Sequence, residues 1–108
     1  MRIDYKNEKC FNRDMRKAEE KILDAGFEDV IILKDFSYDS ALVGISEDRR
    51  AIYDFNRMVE WLMFTEGFED IEAIEWIEYN TIRALPYAGS KAPIVAYEED
   101  YPMLMYPV

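Results

Sequence analysis

Between Asp70 and Tyr87 the chain reads Asp-Ile-Glu-Ala-Ile-Glu-Trp-Ile-Glu-Tyr-Asn-Thr-Ile-Arg-Ala-Leu-Pro-Tyr, the stretch with its clearest helical period. Apolar residues that return every three or four positions commit a segment to a helix with one face against a core. Turned through about 100° per residue from Ile71, the side chains of Ile74, Thr81, Ile82 and Leu85 gather on one side, with Ala73, Ile77 and Ala84 flanking. Glu78 falls inside that arc, and Glu72, Trp76, Tyr79, Asn80 and Arg83 fall opposite it. The pattern therefore predicts a helix over residues 70–85 that holds a carboxylate inside and a tryptophan outside. Asp70 suits its N-terminus as an acceptor for free amides, and Pro86 ends it by disfavouring a helical conformation at Leu85. A buried Glu78 needs an arginine, a tyrosine hydroxyl or backbone amides as partner, since an unpaired carboxylate costs several kcal/mol or takes up a proton. A functional Glu78 is the competing reading. Trp76 is either roofed by a loop or the C-terminal tail, or part of a binding surface.

The other segments supply what this helix covers. Met15, Ala18, Ile22 and Ala25 mark a helix over residues 13–25, capped by Asn12 or Asp14 and closed at Gly26, with Phe27 packing back. Its polar faces carry Lys17, Glu19, Glu20 and Lys21. The β-branched run Val30-Ile31-Ile32-Leu33 predicts a central strand over residues 29–34, covered on both faces. Residues 41–46 and 51–53 flank Glu47-Asp48-Arg49-Arg50, a hairpin pattern whose turn lacks glycine. Asp54 caps a helix over residues 55–66, apolar through Phe55, Met58, Val59, Trp61, Leu62 and Met63; Phe64 falls on its polar side, and Gly67 closes it. The short link onward makes an antiparallel helix pair. A strand over residues 93–97 follows a loop, with Pro93 first, where a missing donor is tolerated. The order αβββααβ is that of one α+β domain spanning residues 1–108, a mostly antiparallel sheet covered by helices. The apolar tail, residues 103–108, must be packed on the domain, paired in a homodimer or docked on a partner.

Charge is unevenly placed. Residues 1–34 carry eight basic and eight acidic side chains, so the whole net charge of −10 falls on residues 35–108. Between Arg57 and Arg83 there is no base, yet Glu60, Glu66, Glu69, Asp70, Glu72, Glu75 and Glu78 all lie there. Such a field repels nucleic acid and attracts basic surfaces, although acidity also keeps small proteins soluble. No apolar run approaches the length of a membrane span, and the first residues lead into charge; a cytoplasmic protein is expected. The lone Cys10 has no partner for an internal disulfide, and a chain without histidine lacks the usual base for a thiol nucleophile and the usual zinc set.

Glu75-Trp76-Ile77-Glu78-Tyr79-Asn80-Thr81-Ile82-Arg83-Ala84-Leu85-Pro86-Tyr87, preceded by Ala41-Leu42-Val43-Gly44-Ile45 and Ala51-Ile52-Tyr53-Asp54-Phe55, resembles a family of short uncharacterised proteins carried by bacteriophages and phage-bearing, mainly Firmicute, bacteria. The likeness spans roughly residues 41–97. Where members of that family often have glycine in the hairpin turn, this chain has Asp48-Arg49-Arg50. The resemblance implies no enzymology; it implies a phage context, in which small proteins often act against host systems.

The one arrangement with catalytic flavour is Glu72, Glu75 and Glu78, spaced so that two carboxylates could share a hard cation, but such ladders are mostly solvated helix faces. No phosphate-binding glycine loop, Ser/His/Asp set or basic patch accompanies it. The expectation is a protein without catalytic residues, metal or cofactor. Glu60, Glu72, Glu75, Trp76 and Tyr79, with Phe64 beside them, have the composition of a patch that docks on a basic protein surface, aromatics giving area and carboxylates steering. In the phage context the sharpest target is a groove that otherwise holds nucleic acid, as in a CRISPR or other defence effector, reached by mimicry and without direct nucleic-acid binding. The alternatives are an accessory protein of a mobile element, homodimeric through the tail, and a carboxylate-dependent metal enzyme.

Overall fold

Two hydrophobic strands joined by a four-residue turn make the centre of the sheet. β1 (Leu42–Ser46) and β2 (Ala51–Asp54) pair antiparallel with Ile45 opposite Ala51 and Gly44 opposite Ile52. Nearly every residue of both strands is buried, because helices and loops cover the sheet. The turn does without glycine by placing Arg49 in the left-handed region at φ 67°, at a cost of about 1–2 kcal/mol. Arg49 is held there by its guanidinium, which donates to Glu28 O at 2.8 Å and lies 5.2 Å from the Phe27 ring. These coordinates are a computed structural model, which describes residues 17–108. Cys10, Asn12, Asp14 and Met15 lie outside the described residues.

Two further strands take the edges, giving the order β3-β2-β1-β4. β3 (Ile94–Ala96) lies parallel to β2, and β4 (Met105–Pro107) lies antiparallel to β1. The sheet is therefore mixed, with two antiparallel pairings and one parallel. The parallel pairing follows from connectivity, since β2 leaves into the helices and the chain returns along the same direction, as parallel neighbours require. Arg50 Nε donating to Ala92 O at 2.7 Å, and Lys91 Nζ to Asp48 O at 2.6 Å, fix the returning segment beside the hairpin.

The strand expected over residues 29–34 does not form. Both flanks of β2 are taken by β1 and β3, and both flanks of β1 by β2 and β4, so the central position expected for this run is filled by other strands. Asp29 turns it with φ 61°, and Val30, Ile32 and Leu33 pack on the core as an irregular cover while Ile31 is exposed. Leu33 N–H donates to the Tyr53 hydroxyl at 3.2 Å.

Helix α1 (Ala18–Asp24) docks through Ala18 and Ile22, as its spacing implies. Lys21, assigned from sequence to a polar face, is instead buried, its Nζ donating to Asp39 O at 2.9 Å and Leu42 O at 2.6 Å. Helix α2 (Phe55–Glu66) starts where expected, Asp54 Oδ2 accepting from Arg57 N–H at 2.9 Å, and closes on Gly67 at φ 77°. After a three-residue link, α3 (Asp70–Trp76) packs against α2. It continues through a wide π turn (Ile77–Thr81) into a tight 3-10 segment (Ile82–Ala88). Pro86 lies inside that segment and does not end it; the chain turns at Gly89, φ 89°. Among the described residues no helix is long and apolar enough to cross a membrane.

The tail is part of the domain. β4 pairs with β1, the Tyr106 ring lies 5.3 Å from Phe27, Val108 N–H reaches Val43 O at 3.4 Å, and Val108 packs on the core. Met103 is left 99 % exposed.

Candidate functional site

The start of α3 is fixed by its own acids, which suit the positive end of a helix. Glu72 Oε1 accepts from Glu69 N–H at 3.3 Å and Asp70 Oδ1 from Ile71 N–H at 2.7 Å. From there the buried line is Ala73, Ile77 and Thr81, four residues apart, with Ile74 and Trp76 half-buried beside it. The covered face is thus roughly a third of a turn from Ile71, which is 67 % exposed.

Two expected placements are overturned by that rotation. Glu78 is exposed to solvent, not buried. Trp76 is not the centre of an outward face: its indole packs on Phe36 at 5.4 Å between ring centroids and on Phe68 at 6.0 Å. Apolar side chains occupy so much of this helix's circumference that two arcs are available, and the larger aromatic area lies on the arc containing Trp76. The π turn adds to the change, with Ile82 N–H reaching Ile77 O five residues back, so Ile82 and Leu85 leave the positions that a constant step would give them.

Phe36, between the irregular run and β1, is the hub of the aromatic cluster, with Tyr38, Trp61, Phe68 and Trp76 all within 6.4 Å of its ring centre. The signal available in the sequence was the pair Phe36 and Tyr38 in an otherwise polar stretch. Tyr38 sits at φ 47°, a conformation that a bulky residue holds only under packing. At the inner end of this cluster the Tyr38 hydroxyl, Trp76 Nε1 and Thr81 Oγ1 are buried side by side. Burial pushes the Tyr38 hydroxyl above the ordinary phenol range; hydrogen bonding with Thr81 and Trp76 pulls it down and the Asp35 charge pushes it up.

On the outward side Ile71, Glu72, Glu75, Glu78 and Tyr79 are all exposed, and the Arg83 guanidinium lies 5.7 Å from the Tyr79 ring. Glu72, Glu75 and Tyr79 are thus exposed on this helix along with Ile71 and Glu78. Glu60 stands apart. It opens on a groove lined with Asp54, Arg57, Glu98 and Tyr101 and by no residue of α3. There the Tyr101 hydroxyl donates to Asp54 Oδ1 at 2.7 Å, and burial together with that carboxylate pushes the hydroxyl well above the phenol range. The Glu72, Glu75 and Glu78 carboxylates follow the helix surface without converging: among the described residues no three His, Cys, Asp or Glu side chains gather as a metal ion needs. Compared with protein-family models, with curated proteins and with solved structures, the chain matches none.

Proposed function

We propose that the protein works by binding, through the outward face of α3 and its π turn, a basic protein surface that otherwise holds nucleic acid. The observation that carries this is the side-by-side exposure of Glu72, Glu75, Glu78, Ile71 and Tyr79 on a face with no lysine or arginine until Arg83. Carboxylates spaced along a rigid helix speed encounter with a cationic groove, and an exposed isoleucine and tyrosine supply area that slows departure. The resemblance to phage-borne proteins directs the search for the partner to nucleic-acid-binding effectors of host defence. The test is competition: a basic nucleoprotein that captures this chain should lose its bound DNA or RNA in proportion. With such a partner, reversing Glu72 and Glu75 together to lysine should slow association about tenfold at low salt, and Tyr79→Ala should chiefly speed dissociation. Binding that ignores salt and both changes overturns the reading.

A second reading, a homodimer through the tail, is favoured by the exposure of Met103 and Leu104 next to the edge strand β4. Sedimentation at increasing concentration separates the two, since truncation after Pro102 should abolish a dimer and leave the α3 face intact.

A further inference from the structure

β3 stands at one end of the sheet, paired with β2 on its inner side and, among the described residues, with no strand on its outer side. An open edge presents a row of main-chain N–H and C=O groups that another extended segment can take up. Beside it runs a groove of about 480 Å³, walled by Ile82, Leu85 and Pro86 of the 3-10 segment and by Ile94 and Val95 of β3. Successive strand residues point to opposite faces of a sheet, so a groove that both Ile94 and Val95 line opens along the edge itself and not over one face. Its volume falls in the range of roughly 300–1,000 Å³ that ligand clefts have, and its walls suit short aliphatic side chains.

Among the described residues one charged group lines this groove, the Arg50 guanidinium. Its Nε donates to Ala92 O at 2.7 Å, which holds its plane in place, and its terminal nitrogens make no hydrogen bond among the described residues. Asp48 feels the Arg50 charge, but its carboxylate accepts from the Ser46 hydroxyl. A half-buried cation beside apolar walls, in a chain of net charge −10, marks where a negative group of an occupant goes. β2 and β3 run parallel with Ile52 beside Ile94, so Arg50 stands level with Ala92, at the entry of β3. A strand added antiparallel to β3 therefore ends at Arg50, whereas one added parallel would begin there with its positive amino group. Only the first matches the charge.

We propose that the edge of β3 binds the C-terminal end of an extended peptide, added as an antiparallel fifth strand, with aliphatic side chains in the groove and the free carboxylate on Arg50. Main-chain hydrogen bonds supply affinity in this mode, and the groove and Arg50 supply selectivity. The site is separate from the acidic outward face of α3.

The experiment is a titration of the full chain, followed in proton–nitrogen correlation spectra, with the peptide acetyl-Lys-Thr-Val-Thr-Val as the free acid and as the C-terminal amide. The free acid should give saturable shifts of the Ile94, Val95 and Ala96 amides and bind about tenfold more tightly than the amide. General attraction to an acidic protein would favour the amide, which is the more positive of the two. Arg50→Gln keeps a donor for Ala92 O and removes the charge; it should weaken the free acid about tenfold and leave the amide unchanged, erasing the difference. Pro86→Glu, at an exposed position on the wall, should also weaken the free acid in a folded chain, by repulsion. The paired reversal of Glu72 and Glu75 should leave the preference for the free acid as it is, which separates this site from the surface reading. Absence of saturable shifts overturns the proposal, as does equal affinity for the two forms or a preference that survives Arg50→Gln. Shifts of the same amides on concentrating the chain alone would show that a second copy takes the edge, and would overturn it too.

Discussion

Individual side chains set the stability of this fold at a few buried polar positions. Lys21 replaces ordinary helix-to-sheet packing with a cation that ties α1 to Asp39 O and to Leu42 O, the first residue of β1. Lys21→Met keeps most of the apolar stem but leaves those carbonyls short of a donor, so stability should fall by about 2–4 kcal/mol in urea unfolding. Tyr38 carries a hydroxyl into the core beside two other polar atoms. Its ring packs on Phe36 and Trp61, and its hydroxyl lies beside the Thr81 hydroxyl and the Trp76 indole N–H. Tyr38→Phe removes that neighbour from both, so stability should fall by about 1 kcal/mol in urea unfolding. Unchanged or higher stability would show that the phenol bonds neither.

At the scale of elements, the C-terminal strand depends on one missing side chain. A Cβ at Gly44 would lie 2.6 Å from Met105 Cε and 3.1 Å from Tyr106 O, and the second of these is backbone of β4 itself. Gly44→Ala should thus push β4 off β1 while leaving the β1–β2 hairpin paired, read as exchange of the Val108 amide about tenfold faster than in the native chain. Asp54 joins two elements, capping α2 with one oxygen and accepting from Tyr101 with the other. Asp54→Ala should cost the roughly 1 kcal/mol of a cap and, beyond that, the anchor of the segment before β4.

For the whole molecule, the tyrosines set the alkaline limit. Burial holds the Tyr53 hydroxyl far above the phenol range, slightly offset by the Leu33 N–H that it accepts, and Tyr101 is raised by burial and by Asp54. Both pKa values are higher folded than unfolded. Their contribution is therefore fully present below about pH 10 and is lost as pH climbs above it, where the unfolded chain ionises and the folded one resists. The melting temperature should fall from about pH 10 upward, more gently in Tyr101→Phe, while the share of tyrosinate absorbance due to Tyr53 and Tyr101 appears only with unfolding.

The local pattern of the chain determined the α+β class, the hairpin of residues 42–54, the helix from Asp54 to Gly67 and the edge strand near residue 94, because cap, turn and period agree there without help from distant residues. It also determined that acids crowd one region, since charge is a property of composition. Tertiary structure alone decided which arc of the residue 70–85 helix is buried. With Ile, Trp and Ala around most of the circumference, the pattern leaves two solutions, and the aromatic hub at Phe36, more than thirty residues upstream, selects the one that takes Trp76 in and sends Glu78 out. Likewise Val30-Ile31-Ile32-Leu33 has the composition of a strand, but pairing is a competition for edges. Segments from the far end of the chain took both flanks of the central hairpin and left this run to wall a cleft.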